Sequence, residues 1–168
     1  MLRAASLLYL TVLVAVPLGA EESPRERLEM LEGDWTIEGK EATFRETCAW
    51  FDQRSHIVCN SESRRTSGVK RGVSVLSYSD EKKRFLYYSY GDSGGAAALD
   101  VFIEGGTLIA TGEREAGPDL IRTQVQMTRR ADGSFDFREQ ESKNGGPWTT
   151  TADVNYVRRD ASASGGRQ

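Results

Sequence analysis

Residues 43–62 read TFRETCAWFDQRSHIVCNSE. Two runs of strand-forming composition, Thr43 to Phe51 and His56 to Glu62, flank the polar turn Asp52-Gln53-Arg54-Ser55. An antiparallel hairpin centred between Gln53 and Arg54 sets Phe51 opposite His56 and Cys48 opposite Cys59. With Phe51 and His56 as the hydrogen-bonded closing pair, alternation leaves the cysteines at a non-hydrogen-bonded position, where the backbones approach more closely. That spacing suits a disulfide. A redox-active pair or two free thiols are the other readings of the same two residues. Phe44, Cys48, Trp50, Ile57 and Cys59 share one face of the hairpin, while Arg45, Thr47 and Asn60 lie on the other.

The same pattern continues in both directions. Strand-like runs stand near 34–40, 42–51, 56–63, 70–78, 84–90, 97–104, 107–114, 119–129, 134–142 and 147–158. Between them lie turn-forming clusters such as Gly105-Gly106, Gly117-Pro118, Asp132-Gly133 and Asn144-Gly145-Gly146. About ten short strands without long intervening helices exclude a parallel α/β sheet and fit an up-and-down antiparallel barrel or a sandwich. Leu99, Val101 and Ile103 face one way and Asp100 the other; Ile121, Val125 and Met127 alternate with Arg122, Gln124 and Gln126. In the last run Trp148, Ala152, Val154 and Tyr156 alternate with Thr149, Thr151, Asp153 and Asn155. Ser23-Pro24 before Arg25 to Leu31 predicts a short helical lead-in over 21–31, with Ser23 as its cap. The barrel domain is then expected over 32–159.

The ends of the chain read differently. Arg3, the apolar run Ala4 to Val16 and Pro17-Leu18-Gly19-Ala20 ahead of Glu21-Glu22 have the form of a cleavable signal peptide over 1–20. The run is shorter than the roughly 20 residues that span a bilayer, and no later run is apolar enough to do so. Export to the periplasm or medium follows, and an oxidising compartment favours pairing of the cysteines. Residues 160–168, DASASGGRQ, read as a disordered tail.

Composition narrows the function classes. The 168 residues carry 22 Lys and Arg against 25 Asp and Glu, a formal charge of −3, with no concentrated basic face for nucleic acid. The single histidine and two facing cysteines fall short of the four ligands of a structural metal site. The GDSGG at residues 91–95 matches the nucleophile signature of chymotrypsin-like proteases. That fold needs two barrels and about twice this length, so the motif reads as a turn. His56 sits at a hairpin tip, off the cysteine face, and reads as a surface residue. Glu139 and Glu141 share a strand face, which reads as solvated. No catalytic constellation emerges. The aromatic residues either fill the core or line a barrel interior around one small apolar ligand. The candidates for that lining are Trp35, Trp50, Tyr87, Phe102, Phe137 and Trp148.

Leu31-Glu32-Gly33-Asp34-Trp35, a Gly-x-Trp opening the first strand after a helical turn, resembles the opening signature of calycin barrels, the lipocalin and fatty-acid-binding group. In that group this tryptophan packs against a late arginine, which the resemblance assigns here to Arg158 or Arg159; Gly33, Trp35 and Arg158 become the structural residues. Glu46 to Phe51, Ile57 to Glu62, Tyr87-Tyr88 and Gly145 to Thr149 together resemble secreted bacterial proteins of the domain of unknown function 1579 family. The resemblance covers roughly residues 28–159 and implies a calycin-like barrel, with no established activity, cofactor or catalytic residue. The Asp52 to Ser55 turn departs from the Gly-rich turn of that pattern. The expected function is a non-catalytic binding module for a small apolar ligand. The alternative is an envelope interaction or structural protein with a filled barrel.

Overall fold

A computed structural model describes residues 22–92 and 94–159. The expected signal peptide and tail lie outside the described residues, as does Ser93 of the GDSGG turn. A 3-10 helix over Glu26–Leu31 precedes ten strands. These are β1 (Gly33–Ile37), β2 (Phe44–Phe51), β3 (His56–Arg65), β4 (Gly68–Ser79) and β5 (Arg84–Gly91), then β6 (Ala96–Glu104), β7 (Thr107–Ala116), β8 (Asp119–Arg129), β9 (Phe135–Lys143) and β10 (Thr149–Arg158). Each pairs antiparallel with the next, and β1 also pairs with β10, so the sheet closes into one barrel. Closure leaves no edge strand exposed. The helix starts one residue later than expected, with Arg25 and not Ser23 at its N-cap; two residues further out, Ser23 Oγ accepts from the Glu26 N–H at 3.2 Å while the Ser23 N–H donates to the Glu26 carboxylate at 2.6 Å.

The β2–β3 hairpin has the expected register, with Phe51 opposite His56 and Cys48 opposite Cys59. The cysteines form a disulfide with Cα atoms 4.0 Å apart. Their turn is built without glycine: Asp52, Gln53 and Arg54 hold φ at 28°, 44° and 61°. Left-handed backbone costs a non-glycine residue roughly 1–2 kcal/mol. Tertiary contacts offset it, since Arg54 lies 5.1 Å from the Trp50 ring centroid and pairs with Glu29 of the 3-10 helix.

That helix plugs one end of the barrel. Leu28 and Met30 are buried, the Trp35 indole N–H donates to the Leu31 carbonyl at 2.8 Å, and Arg25 reaches Asp80 of the β4–β5 turn. Trp35 meets Phe135 edge-on at 5.0 Å, beside Ile57, Leu76, Val101 and Leu108. The outer wall carries cross-strand ion pairs such as Arg84–Asp100, Arg122–Glu113 and Arg138–Asp153. Each is exposed and contributes little alone.

The first strand is short, and a stack of three residues holds it. The Arg158 guanidinium lies 4.5 Å from the Trp35 ring centroid, with Trp35 opposite Arg158 in the β1–β10 register. Gly33 makes room, because a Cβ there would fall 2.2 Å from Arg158 Nη1. Its φ of +137° also disfavours a side chain.

Gly33→Ala is therefore expected to destabilise the barrel by about 1–3 kcal/mol in urea unfolding. Replacing both Cys48 and Cys59 by alanine should cost about 2–3 kcal/mol under oxidising conditions and nothing further when reductant is added.

Candidate functional site

Period-two alternation turns alternate residues of each strand inward, and the interior they define is hollow. The cavity measures about 470 Å³, within the range of small-molecule sites. Its walls are apolar along Leu76, Leu99, Leu108, Val125, Met127 and Phe137. Leu31 and Trp35 lie toward the plug, while Ala96, Ala97 and the Arg114–Glu141 ion pair (3.1 Å) stand toward the other end.

Polar groups interrupt these walls, and four of them are ionisable side chains set among the apolar residues. Glu46 of β2, Tyr87 of β5, Glu139 of β9 and Tyr156 of β10 all line the cavity. Glu46 follows from the hairpin register: it lies in phase with Cys48 and so faces inward, beside Trp35 on β1 and Ser61 on β3. Its accessible surface faces the cavity, and among the described residues it has no hydrogen-bond or ion-pair partner. Burial pushes its carboxyl up to about 7. Burial also raises Glu139, with Glu141 adding repulsion and Arg114 opposing both. The Tyr87 phenol is raised by burial, with Ser74 and Ser89 pulling it back and the charges of Glu46 and Glu139 pushing it further. Burial raises Tyr156 as well, and it feels the same two carboxylates. The four groups thus form one electrostatic cluster, and Tyr156 packs its ring against Phe44 and Phe137.

Of the aromatic residues expected to line the interior, Trp35, Tyr87 and Phe137 do. Three do not. Phe102 alternates with Val101 and Ile103, so it points outward and is 64% exposed. Trp148 precedes β10, and a bulge between Thr150 and Ala152 breaks the alternation that ties it to Tyr156. It is instead exposed beside an outer groove with Leu86, Tyr88 and Gln124. Trp50 faces inward but sits in the plugged end under Arg54, and its buried indole N–H has no hydrogen-bond partner among the described residues. Glu139 and Glu141 correct the expected solvated face, since both line the cavity. His56 is exposed, edge-on to Phe51 at 6.3 Å.

The ladder between β6 and β7 is incomplete. It stops at Asp100 opposite Thr111, although both strands continue. Leu99 folds over Gly112, where a Cβ would fall 2.4 Å from Leu99 Cδ2. Tyr87, Leu99, Gly112 and Thr123 line both the cavity and the outer groove.

Glu46, Cys48 and Cys59 place a carboxylate oxygen and two sulfurs within 4.8 Å of one another. The sulfurs are joined to each other and offer no thiolate. The arrangement is an apolar container with an acidic, hydrogen-bonding patch on its wall.

A carboxyl raised from 4.5 to about 7 in the fold makes the folded state the better proton binder between those values. Stability contributed by the protonated form is thus present at acid pH and lost as pH rises through about 7. At about 1.4 kcal/mol per unit, Glu46→Gln should raise urea stability at pH 8 by on the order of 2–3 kcal/mol relative to wild type, and barely change it at pH 4.5. No family model matches the chain, and no curated protein matches it.

Proposed function

We propose that this protein is an exported β-barrel that holds one small, largely apolar ligand in its interior and performs no chemistry on it. The cavity of about 470 Å³ carries this reading. Well-packed interiors leave few voids larger than a water molecule, and a small domain that keeps so large a space open sacrifices dispersion contacts throughout its core. An occupant restores them. The same space speaks against the filled barrel of an interaction protein. The disulfide fits an oxidising compartment, and the leader-like residues 1–20 supply a route to it. Among the described residues no helix is long and apolar enough to cross a membrane. Membership of the calycin-like, domain of unknown function 1579 group belongs to the proposal, supported by the motifs and by the Trp35–Arg158 stack.

Catalysis is not part of this reading.

Titration with diphenylhexatriene, a neutral hydrocarbon that fluoresces when removed from water, tests the container. Wild type should give a saturable, single-site rise. Ala110→Phe, which fills the cavity from β7, should reduce it at least tenfold while the far-ultraviolet circular dichroism is unchanged. A native protein that takes up no apolar probe would refute the reading.

A further inference from the structure

The polar patch on the cavity wall says what kind of ligand belongs there, given that the barrel is a container at all. Glu46 and Glu139 bring two carboxyls to the cavity, and the Tyr87 and Tyr156 phenols lie within the influence of both. Among the described residues, Arg114 is the one cation in the lining, and it is paired with Glu141. Among the described residues Glu46 has no hydrogen-bond or ion-pair partner. A buried carboxyl left without a partner is costly, and its retention inside an apolar container points to a group that arrives with the ligand. Around the same place stand aromatic rings: Tyr156 is flanked by Phe44 at 5.6 Å and Phe137 at 5.5 Å. Carboxylates combined with ring faces are the recurring recognition surface for organic ammonium groups.

We propose that the cavity selects an organic cation, an ammonium group on an apolar or aromatic body, with Glu46 as its counter-charge. The ammonium donates to Glu46 and lies among Tyr87, Tyr156 and Phe137, with Glu139 adding a second negative charge. The body occupies the space between Leu76, Leu99, Leu108, Val125 and Met127. A ligand ending in a carboxylate meets the opposite situation, because both free carboxyls repel it and Arg114 is already engaged.

The groups facing Glu46 define its pH response. β1 presents Trp35 and β3 presents Ser61 and the bonded Cys59, none of which titrates. Tyr156 stands on the same side, against Phe44; Tyr87 and Glu139 also line the cavity, with the Glu141–Arg114 and Glu113–Arg122 pairs toward its rim. An aliphatic ammonium stays charged throughout the range from pH 5.5 to 8. Binding it draws Glu46 into the ionised form, so affinity rises with pH.

Calorimetric titration with three ligands sharing one body tests this: 4-phenylbutylamine, 4-phenyl-1-butanol and 4-phenylbutyrate. The amine should bind at least tenfold tighter than the alcohol at pH 8, the carboxylate should bind worst, and the advantage of the amine should shrink several-fold at pH 5.5. Glu46→Gln should abolish that advantage and its pH dependence while leaving the alcohol's affinity within about twofold. Glu139→Gln should reduce the advantage in part. Equal binding of amine and alcohol, preference for the carboxylate, or failure of all three by a protein that still takes up diphenylhexatriene would overturn the cation proposal and leave the container intact. A protein that takes up neither these ligands nor the hydrocarbon would overturn both. The wild-type comparison needs no variant, so a poorly folded Glu46→Gln does not protect the proposal.

Discussion

Everything inside this molecule depends on the seam where β1 joins β10. The strand that closes it, Gly33–Ile37, has five residues, and it satisfies β2 on one side and β10 on the other. Without that closure two edges would stand open, and an open sheet has no interior. The seam is secured by a stack: the Trp35 ring under the Arg158 guanidinium, with Gly33 leaving room for the cation. Trp35 also donates to the Leu31 carbonyl and meets Phe135 edge-on. One side chain therefore joins the seam, the plug and the nearby strand β9. Its neighbours in the fold are cavity residues as well, so stability and site share their foundation.

Closure imposes a strict division on the side chains. Every strand residue faces either the medium or the interior, and the polar ones facing the medium pair across strands at little energetic consequence. A polar residue facing inward is in a different position, because it must find a partner or remain desolvated. Arg114 and Glu141 found one another, and Glu46 did not. The contrast between these inward groups gives the cavity its chemical character.

Alternation made most of this architecture legible from residue order. The ten runs, the facing cysteines and the inward set along β8 all follow from a period of two applied between turn residues. The pattern also held information that chemical habit obscured. Phe102 lies in phase with Asp100 and faces the medium, although an aromatic ring invites assignment to the interior. Glu46 lies in phase with Phe44 and Cys48, a carboxylate on an apolar face, and that was the signal for the site. Trp148 was beyond such reasoning, because the bulge near Thr151 changes the phase without any glycine or proline to mark it. Hollowness was also hidden. Residue order assigns side chains to a face, whereas an empty centre depends on how far facing walls stand apart.

The even number of strands has a consequence for how the molecule can be presented. Up-and-down order with ten strands returns the chain to the end from which it started, and the Arg159 N–H donates to the Asp34 carbonyl there. Both ends of the barrel's chain thus leave beside the plug, on the side away from Ala96, Ala97 and Arg114. A tether, fusion partner or solid support joined where the barrel's chain enters or leaves would hold the barrel by its base, with its rim facing outward.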